Sequence, residues 1–110
     1  MKNVPRLNFL QLVDIKLTSA GFRALRQLDN LTCLYLQDTG LSDADVVEIS
    51  RLKSLTSLSL RFEPVTDAGL EHLRDLKRLA QLEVTATKAS DAGIAALKEA
   101  LPRANIFFQR

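Results

Sequence analysis

The chain has one cysteine and one histidine in 110 residues. A single thiol excludes an internal disulfide framework, and with a single imidazole it also excludes a Cys/His metal cluster. No apolar run approaches the roughly 18 residues of a membrane span. The opening segment MKNVPRLNFLQLVDI places Arg6 and Asp14 inside what would be the apolar stretch of a signal peptide. No export signal is read there, and a cytoplasmic location is expected. An excess of one charge is missing too, since 15 Lys and Arg against 13 Asp and Glu leave a formal +2. Bulk charge therefore supplies no grip on a nucleic-acid backbone, and neither a nucleic-acid nor a membrane partner is expected. Glycine is sparse: Gly21, Gly40, Gly69 and Gly93 stand far apart, so no glycine-rich loop cradles a phosphate.

What is present is a balance of 46% hydrophobic and 25% charged residues. That is the make-up of one globular domain, read here as 1–110. The hydrophobic residues are ordered. Cut every 24 residues from Leu7, the sequence falls without gaps into LNFLQLVDIKLTSAGFRALRQLDN, LTCLYLQDTGLSDADVVEISRLKS, LTSLSLRFEPVTDAGLEHLRDLKR and LAQLEVTATKASDAGIAALKEALP. The first, fourth, sixth, eleventh, sixteenth, nineteenth and twenty-second columns are apolar in every segment. Leu10, Leu34, Leu58 and Leu82 form one such column, and Phe22, Val46, Leu70 and Ile94 another. The units are 7–30, 31–54, 55–78 and 79–102. A partial unit 1–6 precedes them, and 103–110 supplies a terminal strand in which Ile106 and Phe108 keep the register.

Each unit alternates two periods. LxxLxL ends with the spacing of a short strand, whereas the later columns are spaced by three, as on the buried stripe of a helix. Thr18, Ser42, Thr66 and Ser90 recur just before the helical run, where a hydroxyl can cap free backbone N–H groups. Asp43, Asp67 and Asp91 follow at the first helical position, which favours a carboxylate, and Ser19 replaces them in the first unit. Ser42 with Asp45 comes close to a capping box. No unit can bury its apolar face alone, so the units must stack.

These columns resemble the leucine-rich-repeat superfamily over residues 7–108. The T/S-D-A-G/D box, at Ser42-Asp43-Ala44-Asp45, Thr66-Asp67-Ala68-Gly69 and Ser90-Asp91-Ala92-Gly93, is similar to a bacterial subgroup. It is also similar to the Cys-containing repeats of F-box substrate receptors, although no F-box precedes it here. The resemblance implies an α/β fold, a right-handed leucine-rich-repeat solenoid with a parallel sheet on its concave face and helices on its convex face. It also implies a binding role. Ile15 and Glu63 depart from the pattern at the position of Thr39 and Thr87, so a hydrogen-bonded ladder along that column is expected to be interrupted.

Alternation along a strand turns the residues between core positions outward. The expected partner-binding face comprises Phe9, Gln11, Tyr35, Gln37, Arg61 and Glu83, with Phe107 closing the far end. Aromatic and Arg residues are frequent interface anchors, so a protein or peptide held by Phe9, Tyr35 and Arg61 is the expected ligand. The irregular segment Arg61-Phe62-Glu63-Pro64 is read as drift, with Phe62 tucked against its neighbours. The helices carry Arg and Lys mixed with Glu and Asp, as solvated helix faces do.

The two ends differ. Solenoids are normally closed by polar caps, and none precedes the first strand. Met1, Val4 and Leu7 form a candidate edge interface. Three readings stand side by side: a piece of a longer array or assembly docked through this edge, pairing with itself or another protein there, or a lead-in that folds over the edge. No catalytic, cofactor or metal site is expected. Cys33 falls on the strand layer and His72 on a helix, with a core between them, so no base serves the thiol. Equivalent Asp residues recur as helix-start signals.

Overall fold

The computed structural model describes residues 7–109. They form five strands alternating with four helices: β1 (Phe9–Val13), α1 (Ser19–Ala24), β2 (Cys33–Gln37), α2 (Asp43–Ile49), β3 (Ser57–Arg61), α3 (Asp67–Glu71), β4 (Gln81–Thr85), α4 (Asp91–Ala100) and β5 (Asn105–Gln109). The strands make one parallel sheet in chain order. Register shifts by the same amount at every step, pairing Leu10 with Leu34, Leu34 with Leu58, Leu58 with Leu82 and Leu82 with Ile106. Equivalent columns thus become physical rows across the sheet, about 4.8 Å from strand to strand.

Burial follows the rows. Leu34, Leu36, Leu58, Leu60, Leu82 and Val84 are at most 1% exposed and share one core with Phe22, Val46, Ile49, Leu70, Leu73, Ile94 and Leu97 of the helical segments. Complete burial of such a side chain contributes about 1.5–3 kcal/mol before ordering costs, so these rows hold the layers together. At the ends the same rows are only partly covered: Leu7, Leu10 and Leu12 on one side, Ile106 and Phe108 on the other. No helix among the described residues is long and apolar enough to cross a membrane.

Two helices are shorter than their apolar stripe suggests. α1 and α3 tighten into 3-10 turns over Leu25–Gln27 and His72–Asp75. A 3-10 turn places residues three apart in line, which suits columns spaced by three. Thr18 and Ser90 accept from the N–H groups of Gly21 and Gly93 as N-caps. Ser42 does not; its hydroxyl donates to Asp45 at 3.0 Å, so the expected capping box is absent.

After each of the first four strands the chain turns through one left-handed residue: Asp14, Asp38, Phe62 and Ala86, with φ between 54° and 58°. Asp tolerates this region, whereas a bulky side chain is strained in it. The turn directs Phe62 outward, 52% exposed, which corrects the expectation that it tucks against its neighbours.

A second correction falls at Glu63. Its carboxylate is 1% exposed and accepts from the N–H groups of Thr39, Gly40 and Leu41 and from the Thr39 hydroxyl, at 2.8–3.1 Å. The column is therefore joined from Glu63 back to Thr39. A longer acidic side chain reaches back to the preceding unit and satisfies a turn whose N–H groups face no carbonyl. Exposed Ile15 carries no such polar group.

A carboxylate ladder ties successive helix starts. Asp43 accepts from the N–H and hydroxyl of Thr66, and Asp67 from those of Ser90. The Ser90 hydroxyl, then its N–H, holds the Asp67 carboxyl below the usual carboxylate range. This ladder accounts for glycine in the box. A Cβ on Gly69 would strike the Asp43 carboxylate, and one on Gly93 would strike Asp67. Where the preceding unit has Ser19 instead of Asp, the equivalent position admits a full side chain, Asp45.

Candidate functional site

The exposed face of the sheet is formed by the odd residues of each strand, set between core positions. On it lies an open cleft of about 390 Å³ that draws on all five strands. Gln11 and Val13 line it from β1, Tyr35 and Gln37 from β2, Ser59 and Arg61 from β3, Glu83 from β4 and Phe107 from β5.

Its centre is a hydrogen-bonded set. Glu83 accepts from the Ser59 hydroxyl at 2.9 Å and from the Thr85 hydroxyl at 3.0 Å. Arg61 stands beside the same carboxylate, Nε to Oε2 at 3.6 Å. Both Glu83 oxygens are thereby engaged, and the carboxylate orients Arg61 from one side. A guanidinium carries five N–H donors, and most of those on half-exposed Arg61 remain for a ligand. At the β1 end Phe9 meets Tyr35 edge to face, ring centroids 5.3 Å apart. Such pairs contribute about 0.5–1.5 kcal/mol beyond area burial and set the Tyr35 ring. At the other end Phe107 is 54% exposed.

Of the six residues expected on this face, Gln11, Tyr35, Gln37, Arg61 and Glu83 come together in the cleft. Phe9 stands outside it, in contact with Tyr35. Val13 lines the cleft without having been singled out. Its column, shared with Gln37, Arg61 and Thr85, does place it on this face, but an apolar residue in a polar row carries no signal of a contact. Met1 and Val4 lie outside the described residues, and Leu7 is half-buried at the β1 edge.

Above the sheet, Lys16 donates to Asp38. The bond holds the Lys16 ammonium above its usual range and the Asp38 carboxyl below its own. Cys33 is half-buried on the sheet face, and His72 lies in the α3 segment. Among the described residues no group of His, Cys, Asp or Glu is arranged to hold a metal ion. Scanned against models of known protein families, the chain matches none, and none of the curated proteins matches it.

Proposed function

We propose that the protein is a small leucine-rich-repeat solenoid and a non-catalytic interaction module, which holds an extended protein or peptide segment across the exposed sheet. Four units at constant register, a parallel sheet in chain order and a flat outline of 43 × 27 × 18 Å support the architecture. The right-handed sense follows from the strong preference of parallel crossovers.

One observation carries the function: a single open cleft crosses every strand and is lined by aromatic rings, amides and an oriented guanidinium. Five strands span about 19 Å, the reach of about six extended residues. Gln11 and Gln37 suit main-chain amides, Tyr35 and Phe107 suit apolar side chains, and Arg61 suits a carboxylate of the bound segment. The cleft is shallow and open, which favours a chain laid along it over an enclosed small molecule.

The test selects peptides from a random library on the wild-type protein and measures their affinity for Tyr35→Ala/Arg61→Ala. The reading predicts at least about a tenfold loss, as expected of two anchor residues. Unchanged affinity in a folded double variant refutes the assignment.

A further inference from the structure

The first unit departs from its siblings in a way the binding face does not explain. At the seventh column it has Val13 where the others have Gln37, Arg61 and Thr85. At the ninth it has Ile15 where the others have Thr39, Glu63 and Thr87. Both apolar residues are exposed, Val13 at 38% and Ile15 at 50%. Both belong to the unit of β1, which with β5 is one of the two strands paired on one side only among the described residues.

With these two residues the segment Leu7-Asn8-Phe9-Leu10-Gln11-Leu12-Val13-Asp14-Ile15 becomes a palindrome of polarity centred on Gln11. Read against its own reverse, Leu10 meets Leu12, Phe9 meets Val13, Asn8 meets Asp14 and Leu7 meets Ile15. The same reversal of the second unit sets Cys33 against Gln37 and Leu31 against Thr39, and of the third sets Leu55 against Glu63. Of the four full units only the first is self-complementary over all nine residues, the fourth breaking at Leu79 against Thr87. At the opposite edge β5 is symmetric over its five strand residues alone, with amides Asn105 and Gln109 where β1 has Phe9 and Val13.

Backbone direction agrees. The Asn8 carbonyl accepts from Cys33, and the Asp14 N–H donates to Gln37. Alternation along a parallel ladder therefore turns the backbone groups of Leu10 and Leu12 toward β2 and those of Phe9, Gln11 and Val13 outward. An antiparallel strand centred on Gln11 uses those outward residues and no others.

We propose that β1 pairs antiparallel with β1 of a second copy across a two-fold axis at Gln11. The N–H and C=O groups of Phe9, Gln11 and Val13 then bond to those of the partner's Val13, Gln11 and Phe9. On the exposed face Phe9 packs against the partner's Val13. On the core face Leu10 and Leu12 cover the partner's Leu12 and Leu10, closing rows that are only partly covered in one copy. No charged residue lies in Phe9–Val13 to oppose the approach, and charge is the usual protection of an open sheet edge. The interface is isologous and closed, so it gives a dimer and not a fibre. It joins the two sheets into one continuous face. This inference goes beyond the binding reading and does not depend on it.

The experiment measures solution mass by light scattering over a concentration series for the wild-type chain and for Val13→Arg/Ile15→Thr. Those substitutions install residues that Arg61, Thr39 and Thr87 carry in the same columns, and circular dichroism verifies the fold. Should the pair fail to fold, Val13→Thr/Ile15→Thr, matched to Thr85 and Thr39, reads the same equilibrium. A wild-type dimer is expected, with the monomer–dimer midpoint raised at least about tenfold in the variant. Register is read by oxidative cross-linking in a Cys33→Ser background. Gln11→Cys faces its own copy at a Cα separation of about 5.5 Å and links. Phe9→Cys lies about 14 Å from its copy and does not. A wild-type monomer at all concentrations up to about millimolar overturns the proposal. So does a dimer that the variant leaves intact, or linking through Phe9→Cys as fast as through Gln11→Cys.

Discussion

The Asp67 carboxylate occupies the space that a Cβ on Gly93 would need, while accepting from the N–H and hydroxyl of Ser90. The aspartate of one unit and the glycine of the next are thus a single device, as Asp43 and Gly69 are one unit earlier. Gly93→Ala is expected to push Asp67 off Ser90 and lower the thermal midpoint. Asp67→Ala is expected to cost less in the Gly93→Ala background than in the wild type. A double-mutant cycle followed by thermal unfolding checks this, and strictly additive losses contradict it.

The same rung makes stability depend on acid. The Asp67 carboxyl is held below its ordinary range by the Ser90 hydroxyl and N–H, so the unfolded chain takes up that proton at higher pH than the folded one. Its contribution is complete above the unfolded aspartate value of about 3.9 and is lost as pH falls through the lower folded value. Asp67→Asn should be less stable than wild type at neutral pH, and the gap should narrow as the pH falls below about 4. Urea titrations from neutral to acid pH measure it; a gap that stays constant or widens contradicts the assignment.

At Glu63 the expectation is a large loss. Glu63→Ala leaves the buried N–H groups of Thr39 and Leu41 without an acceptor, at about 1–3 kcal/mol each. An unfolding free energy, from urea titration, lowered by about 3 kcal/mol in total is expected. A change within about 0.5 kcal/mol, the range of ordinary surface substitutions, means the carboxylate is not what organises the turn.

How much of this was legible in sequence differs by residue. The core rows were, because seven apolar columns repeat without gaps and two periods separate strand from helix. Tyr35, Gln37, Arg61 and Glu83 could be placed on one face for the same reason, since period two assigns a face once the strand is known. Glu63 was not legible. An acidic residue in a threonine column reads as a break, and its partners are backbone groups some two dozen residues earlier, invisible to side-chain patterning. Phe62 was misread because the left-handed turn that directs it outward is populated by Asp14, Asp38 and Ala86, a set with no common chemistry. In the sequence the glycines of the box are only isolated residues that form no phosphate loop; the stacked geometry reveals the carboxylate above Gly69 and Gly93.

The binding face also predicts a graded response within itself. Glu83→Gln removes the charge that orients Arg61 while keeping an acceptor for Ser59 or Thr85. Selected peptides that carry a carboxylate should respond to it, whereas peptides without one should not. Isothermal titration of both sets separates the cases, and equal responses contradict a role for oriented Arg61.

The most direct measurement of the central claim maps where a selected peptide sits. Backbone amide shifts of the labelled protein are followed by NMR as the highest-affinity library peptide is added. The account predicts that the largest changes cluster at Gln11, Tyr35, Arg61, Glu83 and Phe107, on all five strands, and are absent in Tyr35→Ala/Arg61→Ala. Changes confined to the helices, or shifts that persist unaltered in the folded double variant, would contradict it.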